Sequence, residues 1–129
     1  MRSRAISDPI IWTHALFLAN SYLYFHNGYR ILAVSLFINC ILSLMHHLYH
    51  EESDFWQFAD EVSCRISLGL ISVFIIKYCS LVQIFYCVFW LFLSLILLEL
   101  GTMYDYRKFH SLWHVAVFIG NLIVWNYLP

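Results

Sequence analysis

The chain has 129 residues, 62% of them hydrophobic and 19% aromatic, with 12% charged residues, a formal net charge of -1 and a mean hydropathy of +0.72. A soluble domain carries roughly 25% charged residues, so this composition predicts a surface that faces lipid over most of its area. A near-neutral charge gives no basis for binding nucleic acid or a charged membrane surface.

A helix needs about 20 mostly apolar residues to cross the hydrocarbon core, and five segments approach that requirement: 10–25, 31–48, 58–78, 81–100 and 109–128. The expected fold is therefore all-α, a polytopic membrane bundle of five transmembrane helices in a single domain. The runs are continuous and lack the alternation of a barrel strand. "MRSR" is followed by no small-residue cleavage site, so the first apolar run is read as a helix of the bundle rather than a signal peptide.

The connections are short. "HNGYR" joins the first two segments through an Asn-Gly turn signal. "YHEESDFWQ" is the longest and most acidic, the third helix must reverse quickly around Cys79-Ser80, and "GTMYDYRK" leads into the fifth. Cys40, Cys64, Cys79 and Cys87 lie in apolar runs with no metal-type spacing and read as small buried or lipid-facing side chains.

Counting five crossings places the polar residues. Ser43, His46, His47 and His50 end the second segment, Asp60 and Glu61 open the third, Glu99 closes the fourth, and His110 and His114 open the fifth. All fall on the side that holds the amino terminus, where ionisable groups at membrane depth default to a functional site. Arg2, Arg4, Arg107 and Lys108 against Arg30 and Lys77 predict that this side is cytoplasmic.

Residues four apart on a helix lie about 6 Å apart on one face. His110 and His114 can therefore meet one metal ion, and Ser43 and His47 share a face in the same way. A histidine from the second helix with the 110/114 pair makes the three-imidazole pattern of catalytic zinc, with a water in the fourth position. Zinc lowers the pKa of that water to about 7 and polarises a carbonyl. Asp60 is placed to orient or deprotonate the water, and Ser43 to hydrogen-bond an oxyanion. That set suits hydrolysis of an amide or ester whose acyl chain lies in the bilayer.

Each element also has a structural reading. The histidine pair can be polar packing or a heme ligand with a neighbour, Glu61 and Arg65 an intrahelical ion pair, and Ser43 a packing residue. His14, Asn20, Ser21, Asn39 and Asn121 are expected to hydrogen-bond between helices, and Gly101 and Gly120 to permit close helix approach.

"SLMHH" (43–47), "FADE" (58–61) and "FHSLWHVAVFIGN" (109–121) resemble the three signatures of the CREST superfamily of membrane hydrolases. That superfamily includes alkaline ceramidases, the progestin and adipoQ receptor/hemolysin III family, GPI-lipid-remodelling proteins and myomaker-like proteins. The resemblance implies zinc held by His47, His110 and His114, with Ser43 and Asp60 as catalytic partners. His50 is the alternative to His47, since "LYH" also resembles the family's ligand segment; His47 keeps the Ser-x3-His relation. Members typically have seven membrane helices. A five-helix version implies a smaller substrate cavity, or one completed by a second copy in a homo-oligomer. The expected partner is a lipid substrate, ceramide-like or phospholipid-like. Two further readings use the same residues: a receptor-like or membrane-remodelling protein with structural zinc, and a b-type heme electron carrier using His14 or His26.

Overall fold

A computed structural model of the chain describes residues 8–49 and 53–129. Arg2, Arg4 and His50, which entered the sequence expectations, lie outside the described residues. Five α-helices are present: α1 (Pro9–His26), α2 (Arg30–Leu48), α3 (Asp54–Tyr78), α4 (Leu81–Met103) and α5 (Tyr106–Tyr127), with no strand among the described residues. α1 and α2 pass the ends of their apolar segments by a single residue, whereas the other three run well beyond: α3 begins at Asp54, α4 runs on to Met103 and α5 begins at Tyr106. Polar residues that hydropathy ends on still prolong a helix when its backbone bonds are satisfied.

Among the described residues, two helices, α2 and α4, are long and apolar enough to cross a membrane, with mean hydropathies of 1.9 and 2.5 over their best windows. The other three are diluted by polar residues. α1 carries His14, Asn20 and Ser21, α3 carries Asp54, Asp60, Glu61, Arg65 and Lys77, and α5 carries Arg107, Lys108, His110, His114 and Asn121. Two spans are thus supported by length and composition.

The chain divides into two compact units, Met1–Leu70 and Ile71–Pro129, with the boundary inside α3. In the first unit, α1 packs on α2. Asp8 caps α1, its carboxylate accepting from Ile10 N at 3.0 Å, and Pro9 follows at the position where its missing N–H costs nothing. The turn into α2 needs Gly28 at φ +85, in the left-handed region that glycine enters without penalty. Ile10, Phe17, Tyr24, Leu32, Ala33 and Leu36 form the apolar core of this pair.

Polar bonds add register to this unit. Ser21 Oγ donates to Ala33 O at 2.7 Å across α1 and α2. Ser63 Oγ donates to Asn39 Oδ1 at 2.8 Å, and Ser35 and Ser67 share a hydrogen bond of 2.6 Å, joining α2 to the first part of α3. The interhelical role expected of Ser21 and Asn39 is therefore observed. Asn20 differs: it is buried, and neither atom of its amide has a hydrogen-bond partner among the described residues.

In the second unit α4 packs on α5. The quick reversal at Cys79-Ser80 is a capping box, in which Ser80 Oγ accepts from Gln83 N at 3.4 Å and Gln83 Oε1 accepts from Ser80 N at 2.8 Å. Asp105 caps α5, accepting from Lys108 N at 3.1 Å. Gly101 is buried against α5, where a Cβ would meet His110 N and Phe109 Cβ at 3.6 Å. The expected close approach is present, at a distance an alanine would also tolerate. All four cysteines are free thiols.

Candidate metal centre

The first unit assembles a buried polar cluster from three helices. α2 presents Ser43 and His47 on one face near its C-terminal end, 4% and 1% exposed. α1 contributes His14, 2% exposed. His14 Nδ1 lies 2.7 Å from Ile10 O, and a carbonyl only accepts, so Nδ1 carries the proton. The neutral ring then presents a bare lone pair at Nε2. That nitrogen is 3.2 Å from Ser43 Oγ, and the His14 and His47 ring centroids are 5.4 Å apart at 63°.

Asp60 enters from the second turn of α3. Its carboxyl is within hydrogen-bonding reach of the Ser43 hydroxyl and interacts electrostatically with His47. Ser63 ties this turn to α2, its single hydroxyl proton shared between Asn39 Oδ1 at 2.8 Å and Asp60 O at 2.9 Å. Asp60 is thus held toward α2 by a bond that its own side chain does not make. Ser43 has one proton and two acceptors facing it, His14 Nε2 and the Asp60 carboxylate. When a cation takes the His14 lone pair, the hydroxyl is left to donate to Asp60.

His46 is buried beside His47, with centroids 5.0 Å apart. Glu61, the neighbour of Asp60, points elsewhere: its carboxylate accepts from Arg65 at 3.0 Å on an exposed face, the ion pair expected from their spacing.

The second unit holds the other imidazoles. His110 and His114 are 7% and 0% exposed, their rings 4.9 Å apart at 69°. Tyr106 stacks on His110 at 4.7 Å, and Trp113 flanks both rings at 5.0 and 5.1 Å. Ser111 Oγ turns back to Arg107 O at 2.7 Å.

His14 and His47 in the first unit, and His114 in the second, are buried imidazoles that each offer one ring nitrogen as a candidate metal ligand. The donor set does not name the metal, since imidazole suits zinc, copper, iron and nickel alike. His47 and His114 belong to the set expected from sequence. His14 is a further candidate beside His47 in the first unit, and His110 remains the neighbour of His114 in the second. The one observation that bears on fit is the His14 tautomer. A ligand imidazole tied through its other nitrogen to a backbone carbonyl is the usual support for a metal site.

Sequence reading gave His14 an interhelical bond, which it does make to Ser43, and a place as heme ligand in the electron-carrier reading, but no place among the zinc ligands. A depth signal was nevertheless available. His14 stands five residues after the start of α1, and Ser43 five before the end of α2. In two helices joined by a short turn, equal distances from the paired ends mean equal depth.

No protein-family model, curated protein or solved structure matches this chain.

Proposed function

We propose that the chain is an integral-membrane zinc hydrolase of a lipid amide or ester, resembling the CREST superfamily in its SLMHH, FADE and HSLWH segments. The cluster of His14, Ser43, His47 and Asp60 carries this reading. Buried ionisable groups are costly in any core and more so in lipid, and packing alone would be met by apolar residues. In the proposal, His14, His47 and His114 hold the zinc, with His110 next to His114 as the further imidazole. Zinc bound to three imidazoles supplies a water acidified to a pKa of about 7 and a Lewis acid for the carbonyl.

The chain's own groups supply the remainder. Asp60 accepts the proton of the attacking water and passes it to the leaving amine or alkoxide. Once Asp60 has taken the proton of the water, Ser43 turns its hydroxyl from Asp60 and donates to the developing oxyanion. His14, held through Nδ1 by Ile10 O, keeps its ring fixed. The acyl chain of the substrate lies in the bilayer, with five crossings and a cytoplasmic site as the proposed topology.

The test is metal analysis of the purified full chain with lipid product analysis by mass spectrometry. About one zinc per chain, with hydrolysis that is lost in Asp60→Ala while zinc remains, supports the reading. No bound metal, or equal turnover by Asp60→Ala, overturns it.

The presence of His14 favours one second reading. Four buried imidazoles, His14, His47, His110 and His114, would fill a tetrahedral site and leave no position for water, which is the structural type. The chain would then be a receptor-like or membrane-remodelling protein. X-ray absorption separates the two, as four nitrogen ligands mean a closed site and three with one oxygen an open one.

A further inference from the structure

Outside the polar cluster, the first unit carries a groove of about 460 Å³ between α2 and the first part of α3. Its origin is visible in the sequence. Ser35 and Ser63 are small residues set among bulky ones, and their hydroxyls are turned into α2–α3 hydrogen bonds. They present only hydrocarbon to the groove. The walls are Ile31, Val34 and Ile38 from α2 and Ile66 and Leu70 from α3. Ile31, Val34, Ile38 and Ile66 are 66%, 52%, 48% and 57% exposed. A groove of this size falls in the range of ligand sites, about 300–1,000 Å³, but lacks the polar groups that orient a polar ligand.

One charge stands at its end. Arg30 lines the groove at the start of α2, and among the described residues it makes no hydrogen bond or ion pair. The positive end of the helix dipole disfavours a cation there, so the guanidinium lacks a counter-charge from its own helix as well. The lining is almost wholly apolar, so Arg30 gives the groove its aliphatic stem while the residue itself is exposed; an amphiphile with a hydrocarbon tail in the groove and an anionic head at the start of α2 is complementary to that pair.

We infer that this groove holds one acyl chain of a phospholipid whose phosphate is gripped by Arg30. The proposal rests on the membrane-embedded reading, and on nothing in the metal site. Length agrees with it. Arg30 to Ile38 spans about 12 Å at about 1.5 Å per residue, close to the roughly 15 Å of one leaflet in a hydrocarbon core of about 30 Å. Arginine is suited to phosphate because its planar fork donates two parallel hydrogen bonds. The wall residues contribute by excluding mobile lipid from the trough.

The test uses the full chain in detergent, titrated with phosphatidylglycerol spin-labelled near the end of one acyl chain. Electron paramagnetic resonance should show one motionally restricted lipid per chain. Arg30→Gln should weaken it about tenfold, the loss of one charge-assisted hydrogen-bonded contact. Val34→Trp and Ile66→Trp, both at exposed wall positions, should each abolish the restricted signal while far-UV circular dichroism stays unchanged. Diacylglycerol with the same chains should bind as weakly as the lipid binds to Arg30→Gln, and inorganic phosphate should not displace the lipid.

Restriction that survives both tryptophan variants, equal affinity in Arg30→Gln, or displacement by inorganic phosphate overturns the inference. Two wall variants guard against one failing to fold. Chain stripped of metal should restrict the lipid unchanged, so failure here leaves the hydrolase reading standing, and loss of the metal leaves this one standing.

Discussion

His14 Nε2 faces Ser43 Oγ at 3.2 Å across α1 and α2, while the opposite nitrogen of the same ring is held by Ile10 O at 2.7 Å. The second bond decides the first. With the proton fixed on Nδ1, the inward nitrogen can only accept, from the serine hydroxyl or toward a cation. A histidine retained merely for packing would not need this arrangement, since a leucine fills similar space without a polar atom to satisfy.

His14→Ala is therefore expected to weaken zinc binding by roughly 100-fold or more, exceeding the 10–100-fold typical of groups that only support a ligand. His26→Ala is the control on the same helix. His26 is exposed and stacks on Tyr22 at 5.6 Å, so its removal should leave zinc affinity unchanged. Competition with a fluorescent zinc chelator measures both. Equal affinities in the two variants would remove His14 from the metal site.

Asp60 and Glu61 are adjacent carboxylates with different surroundings, and they should behave differently. Asp60→Asn is expected to lower lipid turnover by about 10²–10⁴, the usual contribution of a general base, with zinc retained. Glu61→Gln removes the charge that pairs with Arg65 on an exposed face, which contributes about 0.3–0.5 kcal/mol as an i,i+4 pair, and keeps an amide oxygen that can still accept from Gln57, so it should leave turnover unchanged. Loss of activity in Glu61→Gln with full activity in Asp60→Asn would reverse the assignment.

Ser63 should act through position. Ser63→Ala removes the hydroxyl that reaches Asn39 and the Asp60 carbonyl, and the buried Asn39 oxygen then loses a donor. A destabilisation of about 1–3 kcal/mol is expected, with a fall in kcat and little change in KM. Ser63→Thr, which restores the hydroxyl, should recover kcat. No recovery would mean that the hydroxyl does not position Asp60.

The helices were legible because apolar runs of this length leave few alternatives, and the Asn-Gly turn, the quick reversal at Cys79-Ser80 and the Glu61–Arg65 pair follow from local spacing alone; that the reversal is a Ser80 capping box did not. The starts of α3 and α5 were less legible. Residues 54–57 and 106–108 are too polar for hydropathy to include, yet they continue a helix whose backbone is satisfied. Ser43 and His47 announced themselves by lying four apart, as did His110 and His114. His14 has no such partner on its own helix. An isolated histidine carries no spacing signal, and its importance becomes visible only when α1 and α2 are aligned in depth.

Asn20 offers a prediction about stability that is independent of the metal site. Its amide is buried with neither atom hydrogen-bonded among the described residues, although Ser21 beside it bonds Ala33 O. An unsatisfied buried amide costs about 1–3 kcal/mol, whereas an apolar side chain of similar shape removes that cost. Asn20→Leu should therefore raise the thermal midpoint of the detergent-solubilised chain, while Ser21→Ala should lower it. Circular dichroism melts of the two variants beside the wild type provide the measurement. A lower midpoint for Asn20→Leu would show that the amide has a partner in the solubilised protein, and a lipid headgroup or a second copy of the chain would be the first to examine.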